Sequence, residues 1–212
     1  MNALIQTLHP ALRLGRQLVL ADSGVPVFSR QGEWDGGSPL HCAAMALALL
    51  GRLSNPAEVS RCRDGPEADF WDRAWPHYLH GLTLSELASL FWELNCGVRP
   101  VMAEGKSATV LRFCTRELAK GWPVIVGCRS GQRAHAVLAV GIEGRQHKRG
   151  FMPHALLTLD PAEVAPGLAS CNARLEFGRA GRRPSYVTAS ATHPVTFEGA
   201  VSIRLPRPAQ SP

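Results

Sequence analysis

An α+β fold, helices first and an antiparallel sheet after them, is predicted for this 212-residue chain by three observations. Leu40 to Leu50 reads LHCAAMALALL, apolar nearly all round apart from His41, which is the pattern of a helix buried between layers. Two amphipathic helical segments follow before Lys120. From Trp122 onward the runs WPVIVGCR, AHAVLAVGIEG, HALLTLDPA and TFEGAVSIRL have the apolar and β-branched content of strands. The order gives a helical part at about 38–120 and a sheet part at about 122–206 within a single domain spanning 25–212, preceded by an arm or helix over 1–24 that breaks near Pro10.

Each element has a local cause. Ser38 followed by Pro39 is a helix start, with serine as the N-cap and proline where its missing N–H is not needed. Gly51 is the matching stop. Ser54-Asn55-Pro56 opens a turn or short helix, and the segment holding Phe70, Trp71, Trp75 and Tyr78 is helical up to a break near Pro76. Thr83 to Glu86, TLSE, is a capping box; Leu84, Leu87, Ala88 and Phe91 share the face behind it, and Asn95-Cys96-Gly97 closes that helix. Val98 to Ala103 reads as a strand. Ser107 to Lys120 is a helix with Val110, Leu111, Cys114 and Leu118 inward, stopped by Gly121. The link from Gly144 to Pro153, with Arg145, His147, Lys148 and Arg149, reads as a solvated loop, and Arg174 to Thr192, with the Arg182-Arg183 pair, as a long polar mobile insertion.

Composition narrows the function classes. The net charge of +6 is dispersed, and no aromatic-interleaved basic motif is present, so no nucleic acid is expected as a partner. No apolar run reaches the length of a membrane span. The N-terminus MNALIQTLHPALRLGRQLVL lacks the basic, apolar, small-residue order of a secretion signal, which points to the cytoplasm or to export by a signal-peptide-independent route. Six cysteines stand apart without CxxC units, as reduced core thiols do. His77 and His80 have no further ligand at metal-binding spacing, and Glu104-Gly105-Lys106-Ser107 lacks the upstream glycine of a phosphate loop, so no metal or cofactor is expected.

The chemistry-bearing residues are Ser38, His135 and Asp160. A hydroxyl at the first turn of a buried helix sits at the positive end of the macrodipole, where an anion is favoured. His135 opens the second strand and Asp160 ends the third, and in adjacent antiparallel strands those positions share one edge of the sheet. An aspartate there orients an imidazole, and the imidazole activates a nucleophile brought in by the helix.

The succession of Gln31, an acidic residue and glycines before CAAMALALLG, then GLTLSELASL, GWPVIVG, AHAVLAVG and LLTLDPAE, resembles the papain-like double-glycine leader peptidases and their stand-alone relatives over about Val25 to Glu163. The resemblance implies a papain-like fold, its nucleophile helix packed on an antiparallel sheet, and peptidase activity on a peptide or protein, cutting beside a small residue such as glycine. It implies Gln31 as oxyanion donor, Ser38 as the nucleophile position, His135 as base and Asp160 as orienter. The departure lies at the helix start: the family has Asp-Cys-Gly, and this chain has Asp35-Gly36-Gly37-Ser38-Pro39. Counting back from Met45 places Ser38 at the nucleophile, counting forward from Gln31 places Gly37 there, and neither register gives a cysteine. Cys42, one turn further in, matches a structural cysteine of some relatives.

Three accounts of Ser38 compete: an engineered replacement of cysteine, a natural serine enzyme, or a pseudo-peptidase that keeps the groove to bind a peptide or protein tail. A thiol has a reference pKa of about 8.5, far below that of a hydroxyl, so a thiolate–imidazolium site works poorly with serine. Replacement or loss of the nucleophile is therefore ranked above a natural serine enzyme. Acyl transfer, or a secreted effector role, fits the same scaffold.

Overall fold

The computed structural model describes residues 3–32, 35–148, 150–177 and 183–206. Arg149 and Arg182, read above as parts of polar loops, lie outside them. The elements run β1 (Ala3–Leu8), β2 (Leu12–Arg13), β3 (Val19–Leu20), α1 (Ser38–Leu49), α2 (Gly65–Ala74), α3 (Leu84–Leu94), β4 (Arg99–Glu104) and α4 (Ser107–Leu118). The sheet segment follows as β5 (Val124–Ser130), β6 (Arg133–His147), β7 (Gly150–Leu159), β8 (Ala173–Glu176), β9 (Ser185–Thr188), β10 (Thr192–Pro194) and β11 (Thr196–Arg204). Four helices pack on an open, antiparallel sheet of nine strands in the order β10-β9-β8-β7-β6-β5-β11-β4, with β1 added on β6.

Strand alternation divides the interior into two cores, one on each face of the sheet. Ala136, Leu138 and Val140 of β6 face α1, where they meet Met45 and Leu47, with Leu87 and Phe91 of α3 in the same cluster. Val137 and Ala139 face the other way, toward Val110, Phe113 and Cys114 of α4. A bulge between Ala139 and Gly141 re-phases β6, so Ile142 joins the α4 side. At Gly141 β1 takes over the edge of β6 that β5 has left, and the backbones come so close that a Cβ there would lie 2.6 Å from the Thr7 carbonyl oxygen.

The helical expectations hold: α1 is buried at every position but His41, Gly51 closes it with φ +66°, and the Thr83–Glu86 capping box is formed in both directions. Four expectations are corrected. The N-cap of α1 is Gly37, and Ser38 is the first helical residue, because the serine oxygen bonds across to the sheet instead of its own helix. The N-terminal arm contains a strand, β1, on the main sheet. Its apolar side chains remain largely exposed, so ladder bonds to β6 rather than an amphipathic stripe decide its conformation. The Gly144–Pro153 link is mostly ladder, with Arg145 opposite Met152 and His147 opposite Gly150; a polar, two-sided ribbon reads like a loop in sequence. Within Arg174–Thr192 the described residues form β8 and β9, paired from Ala173 opposite Thr188 to Glu176 opposite Ser185.

Candidate active site

Strand β7 stops at Leu159, opposite Leu138, so β6 has no strand partner on that side at Ala136. The first turns of α1 fill the gap. Ala136 N donates to Ser38 Oγ at 3.2 Å, and Cys42 Sγ donates to the Ala136 carbonyl at 3.5 Å. The helix start is thereby pinned to the residue immediately after His135, and Ser38, His135 and Ala136 together line a cleft of about 650 Å³. The other wall is the start of α3, from Leu82 to Glu86, and Arg129 and Glu198 lie at its rim.

His135 is partly exposed, and its Nε2 donates to Asp160 Oδ1 at 2.7 Å. Asp160, 2% exposed, is held on every side. Its Oδ1 also accepts from Ala162 N at 2.8 Å, and its Oδ2 accepts from the Tyr186 hydroxyl. Its main chain is clamped by Asn172, which accepts from Asp160 N at 2.7 Å and donates to Asp160 O at 2.9 Å. A carboxylate so placed fixes the imidazole tautomer, leaving Nδ1 as the nitrogen that can take a proton.

Ser38 and His135 therefore line one cleft, with Asp160 bonded to His135 behind it. Gln31 comes near only through its backbone, which donates to the Pro161 carbonyl at 2.9 Å. Its side-chain amide donates to Asp35 O at 2.5 Å, and it does not line the cleft. Gly37, the other register candidate, carries no nucleophile and serves as the helix cap. Cys42 and Cys128, the thiols nearest this cleft, are held protonated: burial pushes Cys42 well above its ordinary value and Cys128 up to about 12, and the Asp160 carboxylate adds to both. Neither supplies a thiolate.

Tyr186 and Asn172 were missed by sequence reasoning. Both fall in the polar region between the third strand and the last one, where no periodicity marks them. A second Ser–His–Asp grouping also surrounds the start of α1. Ser29 Oγ lies 2.8 Å from His41 Nδ1, and His41 Nε2 lies 3.7 Å from Asp35 Oδ2, too far for a hydrogen bond. Asp35 accepts from Gly32 N at 2.6 Å and Gly37 N at 3.0 Å, so this grouping ties the loop before α1 to the helix. Among the described residues no three metal-ligating side chains converge. No family model matches the chain, and no curated protein matches it.

Proposed function

We propose that this chain has a papain-like peptidase scaffold acting on a peptide or protein, with Ser38 at the nucleophile position, His135 as base and Asp160 as its orienter. The observation that carries the reading is the meeting of α1's first residue with a carboxylate-bound histidine at the wall of a 650 Å³ cleft. Ser38 Oγ accepts from Ala136 N, so its own hydrogen is not used in that bond. In acyl transfer the oxygen, or a sulfur in its place, attacks the substrate carbonyl as His135 takes the proton. His135 then returns that proton to the leaving amine, and water releases the acyl group by the reverse path. The amide of Gln31 would have to leave the Asp35 carbonyl to serve as oxyanion donor.

A second reading, a groove that binds a peptide or protein tail without cutting it, is favoured by the burial of Ser38, which is 5% exposed and already hydrogen-bonded to the sheet. The two separate on one experiment. Ser38→Cys is treated with an electrophilic peptide probe, alone and combined with His135→Ala. Rapid labelling at position 38 that depends on His135 supports the peptidase scaffold. Equal labelling in both variants, or none, sinks it.

A further inference from the structure

A carboxylate as deep as Asp160 is tolerated only when its acceptors are filled. Oδ1 is occupied by His135 Nε2 and Ala162 N, and the donor to Oδ2 is the Tyr186 hydroxyl, from a residue 26 positions further along the chain. Tyr186 is not on a free loop. It sits opposite Leu175 of β8 on one side and His193 of β10 on the other, and β8 is itself paired with β7, which ends one residue before Asp160. Its ring packs against the core on the α4 face of the sheet. The ladder β7-β8-β9 thus sets where the phenol stands relative to the carboxylate, while Asn172 locks the main chain of Asp160 just ahead of β8.

We infer that Tyr186 is a positioning residue for the His135–Asp160 pair, its phenol holding the carboxylate plane so that Oδ1 faces the imidazole. The inference rests on the peptidase reading for what the pair is used for, and on the hydrogen bonds alone for the coupling between the three side chains. It gives the β8–β10 extension a task in the site. Without that donor the carboxylate is free to turn about its Cβ–Cγ bond, and its pull on the His135 proton weakens.

The test reads that pull directly on the full chain. In wild type the His135 Nε2 proton, bonded to a buried carboxylate, is expected to give a downfield proton resonance. Tyr186→Phe keeps the ring and removes only the donor, and is expected to move that resonance upfield while the thermal melt stays cooperative. The chain has two tyrosines, so 3-fluorotyrosine labelling gives a second measurement that needs no change at Tyr186. His135→Gln is expected to shift the fluorine signal of Tyr186 and leave that of Tyr78 in place. A tyrosine that merely packs would leave the His135 proton unmoved in Tyr186→Phe, and the Tyr186 fluorine signal unmoved in His135→Gln; either result overturns the proposal. If both shifts appear while the Ser38→Cys variant resists labelling, the peptidase reading falls and the positioning role stands.

Discussion

Two Ser–His–Asp groupings flank the first turns of α1, and they differ in everything except residue type. Ser38 and His135 line a cleft where β7 stops short, with Asp160 bonded to His135 behind it, and the histidine side chain is 26% exposed. Ser29, His41 and Asp35 lie on the other side of the helix start, where the histidine side chain is 13% exposed and the serine and aspartate are buried. In the first, the imidazole is bonded to its carboxylate and open on its other side. In the second, the imidazole is bonded to its serine, and its buried Nε2 has no partner among the described residues. The aspartate there is spent on backbone N–H groups of the loop, and burial followed by that carboxylate raises the neighbouring Tyr78 hydroxyl to about 12. The residue inventory of a triad is therefore not a site. What separates the two is whether the strand ladder leaves an opening beside the histidine.

The largest effect expected from this contrast is on reactivity. In a Ser38→Cys background, His135→Ala should slow probe labelling by about 100-fold or more, the scale of general-base assistance. His41→Ala should change the labelling rate of folded molecules by less than about threefold, since its imidazole faces Ser29 and not the cleft. The contrast breaks if the two substitutions have similar effects on labelling measured at equal folded fraction.

Stability should invert the ranking. Asp35→Ala strands the N–H groups of Gly32 and Gly37 and removes the nearest counter-charge to His41. A loss of about 2 kcal/mol is expected from the two lost bonds to a charged group, one exposed at Gly32 and one part-buried at Gly37. Ser29→Ala, which costs a single hydrogen bond, should lose about 1 kcal/mol. Urea unfolding of both variants checks the order, and an Asp35→Ala variant as stable as wild type would remove the structural role assigned to this grouping.

The sealed histidine also predicts a pH dependence. Burial holds His41 below the usual histidine value, against the opposing pull of Asp35, and burial does the same to His9, whose Nε2 donates to the Gly121 carbonyl and whose Nδ1 accepts from Ala11 N. The unfolded rings take up protons near pH 6.5 and the folded ones only at lower pH, so the unfolded chain binds more protons between the two midpoints. Stability is accordingly complete above that window and falls as the pH drops through it. Denaturant titrations at pH 8, 6.5 and 5 should show the decline, and His9→Gln and His41→Gln should each flatten it; an unchanged slope in both would place the proton uptake elsewhere.

The sequence carried the fold and the site unequally. Periodicity and caps located α1, α3, α4 and the central strands, because burial on one face repeats along them. The pairing of His135 with Asp160 was legible because both stand at ends of apolar runs that had to be neighbours. Tyr186 and Asn172 were not, since their partner is a single buried carboxylate rather than a repeating face, and nothing local marks a residue that serves one distant atom. Strand β1 was hidden for a related reason: its pairing with β6 leaves exposed apolar side chains at Leu4 and Ile5, which an amphipathic reading assigns to a helix. Ser38 was placed one position off as an N-cap because the cap rule assumes that a serine serves its own helix, whereas its oxygen here serves Ala136.

The smallest effect expected tests the open side of the comparison. The far wall of the cleft begins at the capping box, where Thr83 N and Oγ1 donate to Glu86 Oε2 at 2.8 Å and Glu86 N returns a bond to Thr83 Oγ1 at 3.2 Å. Behind it, Leu84 rests over Gly127 of β5 and Gly199 of β11, where added Cβ atoms would lie 3.0 and 3.1 Å from Leu84 Cδ1. Thr83→Ala should cost about 1 kcal/mol in unfolding free energy, the usual value of a lost cap. Leu84 packs between the helix and two glycine backbones, so α3 should keep its seat while only its first turn frays. Labelling at position 38 in the Ser38→Cys background should then stay within about twofold, because nothing in the box touches Ser38, His135 or Asp160. A fall comparable to that of His135→Ala would mean that the α3 wall sets the geometry of His135 as firmly as Asp160 does, and the division between an open side and a sealed side would have to be redrawn around the cleft as a whole.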